Sequence, residues 1–313
     1  MKKNHVLLIV VMMLALILIP IVTACGDEET TAGDYDINKI VADIKVDEEL
    51  AGMLPDKYKG GVIKVASDAP YPPWEMFVGE TEQFTGFDYD LAQAMGAKLG
   101  VKFEFIMASF DGILVGIQAG NYDVAMSAMY DNAERQELVD FVNYAQDGTA
   151  MLVKKGNPEN LKTFADLSGK AVAAEAGTTQ AAALAALNEQ FKAEGKPEIT
   201  ISEFPDQPAA LLAVQSGKVV CDLTDASTGA YIAMTTDDGA TFEIVVDPNP
   251  PVADWKPQLD GIGVLKGNDG LRDAIQKALQ ALMDDGTYKT IIDHYGIVPI
   301  EKATINAGPN FGM

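Results

Sequence analysis

Arg135 is one of two arginines in this 313-residue sequence, in which 23 residues are Lys or Arg and the other arginine is Arg272. It lies in the stretch SAMYDNAERQELVDF, residues 127–141. A lysine would serve solubility equally well, whereas a guanidinium is planar, permanently charged and able to hold a carboxylate with two parallel hydrogen bonds. Arg135 therefore either binds a carboxylate or lies on an exposed helix face, paired with Asp131 four residues earlier.

Further polar and aromatic residues follow the segments that read as buried strands. In an open α/β sheet, ligands bind beyond the carboxyl ends of the strands, where loops and helix N-termini gather. The residues at these positions are Asp68, Tyr71, Trp74, Phe110, Tyr130, Asn132, Arg135, Thr178, Thr179 and Asp225. Together they offer an anion binder, a carboxylate, aromatic walls and amide donors, which suit a zwitterion that carries a side chain.

Each of these residues also has an ordinary structural role open to it. A single aromatic is most often a core residue, and APYPPW is a stiff turn because it holds three prolines. Thr178 and Asp225 each precede a predicted helix, where threonine and aspartate commonly cap the N-terminus. The exposed amides at such a helix start suit an anion equally well.

The elements that must position these residues alternate between strands and helices. The first round reads VIKVAS, FDYDLAQAMGAKLG, VKFEFI, FDGILVGIQAG and YDVAMSAM, with Leu91, Met95 and Leu99 on one helix stripe and Gly100 as its stop. A second round follows, and GIQAGNYDVAM is echoed by AVQSGKVVCDL. The alternation predicts an α/β fold with mainly parallel strands, and the two rounds predict two lobes with a cleft between them.

Residues 1–24 read as a secretory signal peptide rather than as part of the fold. Two lysines precede an apolar run that closes on VTAC, and this closing sequence is similar to the bacterial lipobox, in which Cys25 is lipidated. A transmembrane anchor is the alternative, although the run is short and is interrupted by Pro20. We therefore expect an extracytoplasmic lipoprotein held to the membrane through Cys25, with residues 25–58 as a tether and N-terminal cap.

The charge and the remaining cysteine exclude several classes of function. A net charge of −23 argues against a nucleic-acid partner. With Cys25 lipidated, Cys221 is the only thiol, so no internal disulfide is possible. Cys221 lies in the apolar run KVVCDL, where a small buried residue is expected more than a nucleophile that would need His294. No cluster of Cys and His resembles a zinc site, so neither a metal nor a cofactor is expected.

Six stretches, in the right order over roughly residues 60–300, resemble the family 3 extracellular solute-binding proteins, which deliver polar amino acids to ABC importers. These stretches are APYPPWE, TGFDYDLAQAMGAKLG, FDGILVGIQAGNYDVAMSAM, ERQELVDF, LSGKAVAAEAGTTQ and DDGTYKTIIDHYGI. The resemblance implies the type II periplasmic-binding-protein fold, two α/β lobes joined by two crossover strands. Residues 59–148 would form lobe 1, residues 149–250 lobe 2, and residues 251–313 would return to lobe 1. It also implies hinge closure over an amino-acid ligand and an ABC permease as partner, and we expect a monomer.

For the head group of the ligand, the resemblance assigns Arg135 to the α-carboxylate and Asp225 to the α-ammonium. Further hydrogen-bond donors are expected from both lobes, at Ser127, Ala128, Thr178 and Thr179. Members of the family often have a threonine where this chain has Tyr130. The Tyr130 hydroxyl either substitutes for that threonine or reshapes the pocket.

For the side chain of the ligand, the resemblance implies that Tyr71 and Phe110 flank it, and Trp74 is expected as a further aromatic of the site. Asp68 and Glu175 would lie near its distal end. Two acids at that end favour a cationic side chain such as that of arginine, lysine or ornithine, unless the acids are paired within the protein.

An enzyme on the same scaffold is the alternative function. The fold also hosts dehydratases that act on prephenate or arogenate, in which case Glu175 would be a general acid with its pKa raised by burial. We predict a binding protein without catalysis, and loss of prephenate or arogenate during incubation with the protein would favour the enzyme instead.

Overall fold

The computed structural model describes residues 35–311, with every side chain in that range except that of Asp254. The expected signal peptide, the lipidated Cys25 and the last two residues lie outside the described residues. The described residues contain nine α-helices, which are α1 Ile37–Asp43, α2 Glu48–Met53, α3 Phe87–Leu99, α4 Ile113–Gln118, α5 Thr179–Ala193, α6 Gln207–Ser216, α7 Ala226–Thr235, α8 Asp269–Asp284 and α9 Thr287–Tyr295. They also contain thirteen strands, which are β1 Val62–Ser67, β2 Met76–Phe77, β3 Phe84–Thr85, β4 Lys102–Met107, β5 Val124–Ala125, β6 Val139–Asp147, β7 Thr149–Lys154, β8 Ala171–Glu175, β9 Thr200–Phe204, β10 Cys221–Asp225, β11 Phe242–Val245, β12 Gln258–Leu265 and β13 Thr304–Ile305.

Two sheets organise the chain. The first has six strands in the order β13-β6-β12-β5-β1-β4, and the second has five in the order β11-β7-β10-β8-β9. We call the part built on the first sheet lobe 1 and the part built on the second lobe 2. The prediction of a two-lobed α/β fold is confirmed. Both sheets are mixed rather than mainly parallel, because β12 in lobe 1 and β7 in lobe 2 pair antiparallel with their neighbours.

The chain crosses between the lobes twice. It leaves lobe 1 at the end of β6, passes Gly148 and enters lobe 2 as β7, and it returns after β11 to lobe 1 as β12. The two crossings lie close together. A Cβ added to Gly148 would be 3.6 Å from the backbone nitrogen of Pro257. Because of the strands that each segment contributes, we propose that residues 59–148 and 251–313 form lobe 1 and that residues 149–250 form lobe 2.

Three helices, α3, α4 and α6, agree with the patterns in the sequence. In α3, Leu91, Met95 and Leu99 are fully or almost fully buried, and Gly100 ends the helix in the left-handed region at φ 68°. The two echoed segments occupy equivalent places, because α4 leads to β5 and α6 leads to β10, and each helix turns a buried residue inward, Ile117 and Val214. The helix stripe and its glycine stop are confirmed.

One predicted strand is much shorter than expected. YDVAMSAM reads as eight residues of strand, but β5 comprises Val124 and Ala125 only. The chain leaves the sheet at this point, and Ala128 adopts a positive φ of 44°. Its N–H then donates to Asp88 Oδ2 at 3.1 Å instead of to a neighbouring strand. Residues 127 and 128 are thereby free to face the space between the lobes.

The N-terminal described segment packs on lobe 1. Helices α1 and α2 are capped by Asp36 and Asp47, whose side chains accept from backbone N–H groups of the first turn. The Asp47 N–H donates to the carbonyl of Lys98 at 2.9 Å, and Tyr58 is buried with its hydroxyl 2.7 Å from Asp123. Among residues 35–311, no helix has the length and apolar character that crossing a membrane requires.

Candidate ligand-binding site

A cavity with an empty volume of about 330 Å³ lies between the two lobes. The residues that line it are Asp68, Tyr71, Glu75, Phe110, Ser127, Ala128, Tyr130, Arg135, Glu175, Thr178, Thr179, Gln180 and Asp225. Eleven of the twelve ligand-binding residues predicted from the sequence are among them, and Trp74 is the exception.

Arg135 is buried and faces this cavity. It begins a 3₁₀ turn, Arg135–Glu137, whose start is held by Asn132 Oδ1, the acceptor for the Arg135 N–H at 2.8 Å. Nη1 donates to the Tyr130 carbonyl at 2.9 Å and Nη2 to the Gly177 carbonyl at 3.2 Å. The guanidinium also lies 5.3 Å from the centroid of the Phe110 ring, a cation–π contact.

The alternative role for Arg135, an exposed ion pair with Asp131, is wrong. Arg135 is 9% exposed, and Asp131 is fully buried. The Asp131 carboxylate accepts hydrogen bonds from Gln136, Asn143 and the Gly308 N–H instead. Burial lowers the pKa of Arg135 to about 10, which leaves the guanidinium charged at neutral pH.

Asp225 lies at the carboxyl end of β10 and precedes α7, but its side chain does not cap that helix. Its Oδ1 accepts from the Tyr130 hydroxyl at 2.5 Å and from Gln180 Nε2 at 2.7 Å. Burial, and secondarily the charge of Asp147, raises the pKa of Asp225 to about 8. A cation placed at this carboxyl group would therefore favour its ionised form.

Direct hydrogen bonds join the lobes around the cavity. The Tyr71 hydroxyl is 2.9 Å from Thr224 Oγ1 and accepts from the Asp225 N–H at 3.1 Å. Trp74 is fully buried and packs edge-on against Phe87 and Tyr144, and its Nε1 donates to Ser227 Oγ of lobe 2 at 2.9 Å. The expectation that Trp74 contributes to the pocket wall is thus corrected, because its ring is packed in lobe 1 and its N–H bonds to lobe 2.

Asp68 and Glu175 meet at one end of the cavity. Asp68 follows β1 in lobe 1 and accepts the Phe110 N–H at 2.7 Å, whereas Glu175 ends β8 in lobe 2. Each carboxyl group affects the pKa of the other. Burial and the charge of Asp68 raise the pKa of Glu175 to about 10, and burial raises the pKa of Asp68 above its usual value. Burial and the mutual repulsion of the two acids therefore favour a proton on this pair.

A second acid pair lies within lobe 1, and one of its members, Glu75, lines the cavity. Glu75 Oε1 accepts from Ser127 Oγ at 2.6 Å, and Asp88 Oδ1 accepts from the Tyr144 hydroxyl at 2.8 Å. Glu75 and Asp88 also affect the pKa of each other. Burial raises the pKa of both groups, that of Asp88 to about 7. Ser127 Oγ accepts from the Asp68 N–H at 2.9 Å and so connects this pair to the cavity.

The threonines of AGTTQ take both roles that the sequence left open. Thr178 is the N-cap of α5, because its Oγ1 accepts from the Ala181 N–H at 3.2 Å, and it also lines the cavity. Thr179 lines the cavity and donates to Gln180 Oε1 at 3.1 Å. A long helix therefore begins at the cavity wall.

Two lining residues were missed in the sequence, Glu75 and Gln180. Both lie inside the stretches APYPPWE and AGTTQ that point to the site. Gln180 follows Thr179 in the first turn of α5. Because this turn comes soon after the end of a strand, its position could have indicated Gln180 as a site residue. Glu75 is almost fully buried, which a sequence does not reveal for a glutamate next to a turn.

The described residues offer little for metal or thiol chemistry. Between residues 35 and 311, no group of three or more His, Cys, Asp and Glu side chains is arranged to hold a metal ion. Cys221 is fully buried in β10, and burial raises the pKa of its thiol above the usual range. A thiol of that kind is a poor nucleophile.

We expect the Tm of the ligand-free protein to fall as the pH rises from about 5 to about 9. Burial raises the pKa of Asp88 to about 7 and that of Asp222 to about 8, from 3.8. The folded protein therefore holds more protons than the unfolded chain above pH 4, and the stabilising neutral form is lost as the pH passes those raised values. Thermal unfolding followed by circular dichroism at five pH values measures the trend.

A pair of variants isolates the contribution of Asp222, which is buried in lobe 2, does not line the cavity and accepts from Gln207 Nε2 at 2.7 Å. Asp222→Asn should reduce the fall in Tm, because its side chain does not titrate. Asp43→Asn removes an exposed charge and should leave the wild-type slope. Equal slopes in the wild type and Asp222→Asn would contradict the assignment.

Comparison with known proteins agrees with the geometry. The L-cystine-binding protein TcyJ of Escherichia coli (strain K12) is 26% identical over 245 residues, which cover 78% of this chain and 86% of that protein. A solved structure of an ancestral arginine-binding protein bound to arginine is 34% identical, with a TM-score of 0.64, and covers 75% of this chain and 98% of that chain. The ancestral amino acid-binding protein AncCDT-1, a precursor of cyclohexadienyl dehydratase, is 32% identical, with a TM-score of 0.63 over 75% of this chain and 95% of that chain.

The sequence profile of one family matches most of the chain, from residue 63 to residue 297. This range runs from the first strand of lobe 1 to just beyond α9 and includes every residue that lines the cavity. The relatives named above are binding proteins by their descriptions. With its two lobes, its interlobe cavity and this match, the chain belongs to the bacterial extracellular solute-binding proteins, family 3.

Proposed function

We propose that this protein is the extracytoplasmic substrate-binding component of an ABC importer and that it binds a polar amino acid between its lobes. The observation that carries the proposal is that Arg135 from lobe 1 and Asp225 from lobe 2 line one cavity. An α-amino acid carries a carboxylate and an ammonium group on one carbon. A cation and a carboxyl group that converge on one small space match that arrangement.

The donors and acceptors left over at these two residues support the head-group assignment. Arg135 uses two of its five N–H groups on the carbonyls of Tyr130 and Gly177, which leaves three for a ligand carboxylate. Asp225 uses Oδ1 for Tyr130 and Gln180, which leaves Oδ2 for a ligand ammonium. The Tyr130 hydroxyl then positions Asp225, a different task from that of the threonine often found there.

The other end of the cavity favours a cationic side chain. Asp68 and Glu175 lie there, and Tyr71 and Phe110 contribute aromatic surface beside them. A guanidinium or ammonium group would be paired with carboxylate oxygens and flanked by ring faces. We infer that the ligand is arginine or a similar basic amino acid, which agrees with the description of the ancestral relative bound to arginine.

Lobe closure is the motion that this arrangement requires. The cavity is walled by both lobes, and bonds such as Trp74 to Ser227 and Arg135 to Gly177 exist only while the lobes are together. A ligand that contacts both lobes stabilises that closed form. The hinge would lie where the chain crosses at Gly148 and near Pro257.

The N-terminal segment supports attachment to the membrane. We propose that residues 1–24 are removed as a lipoprotein signal peptide, that Cys25 carries the lipid, and that the lobes act as a monomer. The negative charge of −23 keeps the protein body from anionic lipid surfaces, so the lipid would hold the protein while its lobes meet a permease.

We further propose that binding occurs without chemical turnover. Among the residues that line the cavity, Arg135 is the one permanent cation, and four carboxyl groups, Asp68, Glu75, Glu175 and Asp225, surround the same space. Prephenate carries two carboxylates, and the second would lie against these acids. Incubation with prephenate or arogenate, followed by spectroscopic measurement of substrate loss, tests the alternative that Glu175 acts as a general acid.

We expect a thermal-shift screen of the ligand-free protein against amino acids, opines and polyamines to single out basic amino acids. A ligand at 1,000 times its Kd stabilises the native state by about 4.1 kcal/mol, which is easily seen in Tm. Arginine should raise Tm more than its neutral analogue citrulline. A flat screen across all amino acids would overturn the proposed function.

A further inference from the structure

Two carboxyl groups from opposite lobes, Asp68 and Glu175, line the same end of the cavity. Two ionised carboxylates held close together in a buried site repel each other, and one proton on the pair relieves that repulsion. We propose that the closed Asp68–Glu175 pair is occupied either by one proton or by a cationic group of the ligand, so that pH sets the preference for cationic over neutral side chains. The proposal rests on the proposed function and adds an exchange chemistry to it.

The position of the pair makes the proton part of the closed cleft. Asp68 is anchored on lobe 1 by the Phe110 N–H, and Glu175 is 5% exposed at the end of β8 in lobe 2. Both line the cavity that a ligand would fill. A side chain that reaches this end must therefore contact the pair and either accept its proton in a hydrogen bond or displace it.

Four further acids from both lobes act on the pair. Asp206, in the loop before α6, acts on both members, Asp111 and Glu75 lie toward Asp68, and Asp222 of β10 lies toward Glu175. The cation in the cavity wall, Arg135, already donates to two carbonyls and is assigned to the ligand carboxylate. The negative charges of these neighbouring acids oppose a second negative charge on the pair, and burial opposes it further.

The exchange keeps the buried charge constant. With one proton, the pair carries a single negative charge, which a neutral amide or ureido group can accompany. When a guanidinium enters, the Glu175 O–H bond breaks, the proton passes to the buffer, and two carboxylates face one cation. The sum is again one negative charge. A closed complex with a neutral ligand therefore holds one proton more than a closed complex with a cationic ligand.

Arginine and citrulline form the matched ligand pair for the test, because they differ in a charged guanidinium against a neutral ureido group of similar shape. Their head groups are the same and cancel in a ratio of affinities. Because the two complexes differ by one proton, the affinity ratio, defined as the association constant of arginine divided by that of citrulline, should rise about tenfold per pH unit. Isothermal titration calorimetry at pH 6, 7 and 8 with the full-length protein measures this ratio.

Two variants identify the proton carrier. Glu175→Gln cannot exchange a proton, so its affinity ratio should vary by less than about twofold from pH 6 to pH 8. Glu189→Gln removes an exposed glutamate of the same lobe and should keep the tenfold rise per pH unit. A second readout avoids variants altogether. In buffers of different ionisation enthalpy, wild-type binding of arginine should take up about one proton fewer than binding of citrulline.

The outcomes separate this proposal from the function on which it rests. If both ligands bind and their affinity ratio is the same at all three pH values, the proton exchange is refuted and the amino-acid-binding function stands. If the ratio rises equally in the wild type and Glu175→Gln, Glu175 is not the carrier and the proposal fails. If neither ligand binds at any pH, the proposed function fails, and the exchange fails with it.

Discussion

Replacing Arg135 by lysine is expected to weaken amino-acid binding about 100-fold or more, although the positive charge is kept. A guanidinium can offer two parallel N–H donors to one carboxylate, whereas an ammonium offers a single point of contact. Hydrogen bonds to charged groups contribute about 1.5–3 kcal/mol each, and about 2.8 kcal/mol corresponds to 100-fold in Kd. Titration calorimetry with the ligand identified by the thermal-shift screen measures the change.

The only other arginine in the sequence provides the control. Arg272 lies on the surface of lobe 1 and pairs with Asp140, Asp269 and Asp273. Arg272→Lys makes the same chemical change outside the cavity, and its Kd should stay within about twofold of the wild type. Equal affinities in both variants would show that Arg135 serves the interlobe contact with Gly177 rather than the ligand. Far-ultraviolet circular dichroism confirms that each variant is folded.

Much of the site could be predicted because its residues follow strand ends, and strand ends are visible in a sequence. Asp68 after β1 and Asp225 at the end of β10 were found in this way, as was Arg135 after the shortened β5. The parallel strands within each lobe bring such positions to one edge of the sheet. That edge faces the other lobe in both halves of the chain, so the separate signals converge on one cavity.

The contacts between lobes could not be predicted in the same way. Tyr130 and Asp225 are 95 residues apart, and Trp74 and Ser227 are 153 apart, so no periodicity relates them. Their approach depends on the hinge geometry rather than on any local preference. For the same reason, Trp74 was expected in the pocket wall, whereas the packing of its ring against Phe87 directs its N–H toward lobe 2 instead.

Gly177→Ala is expected to weaken ligand binding about tenfold or more by opposing lobe closure. A Cβ on Gly177 would lie 2.9 Å from the Cα and from the Cβ of Asp111, closer than real Cβ atoms come. Gly177 belongs to lobe 2 and Asp111 to lobe 1, so this clash exists only when the lobes are closed. Since the Cα belongs to the backbone and the Cβ is fixed to it, a side-chain rotation cannot relieve the clash. Affinity by calorimetry, and the radius of gyration at saturating ligand by small-angle X-ray scattering, should report a less closed complex.

Gly195→Ala separates closure from backbone strain. Gly177 and Gly195 both lie in lobe 2 with positive φ, 78° and 69°, so an alanine costs about 1–2 kcal/mol at either position in the open and the closed form alike. An added Cβ on Gly195 meets nothing within 4 Å. Both variants should therefore lose a similar few degrees of Tm without ligand, whereas only Gly177→Ala should lose affinity. Equal affinities would mean that the lobes bind ligand without the approach of Gly177 to Asp111. A selective loss would make this glycine a steric requirement of the closed form, because the two backbones must meet where no side chain fits.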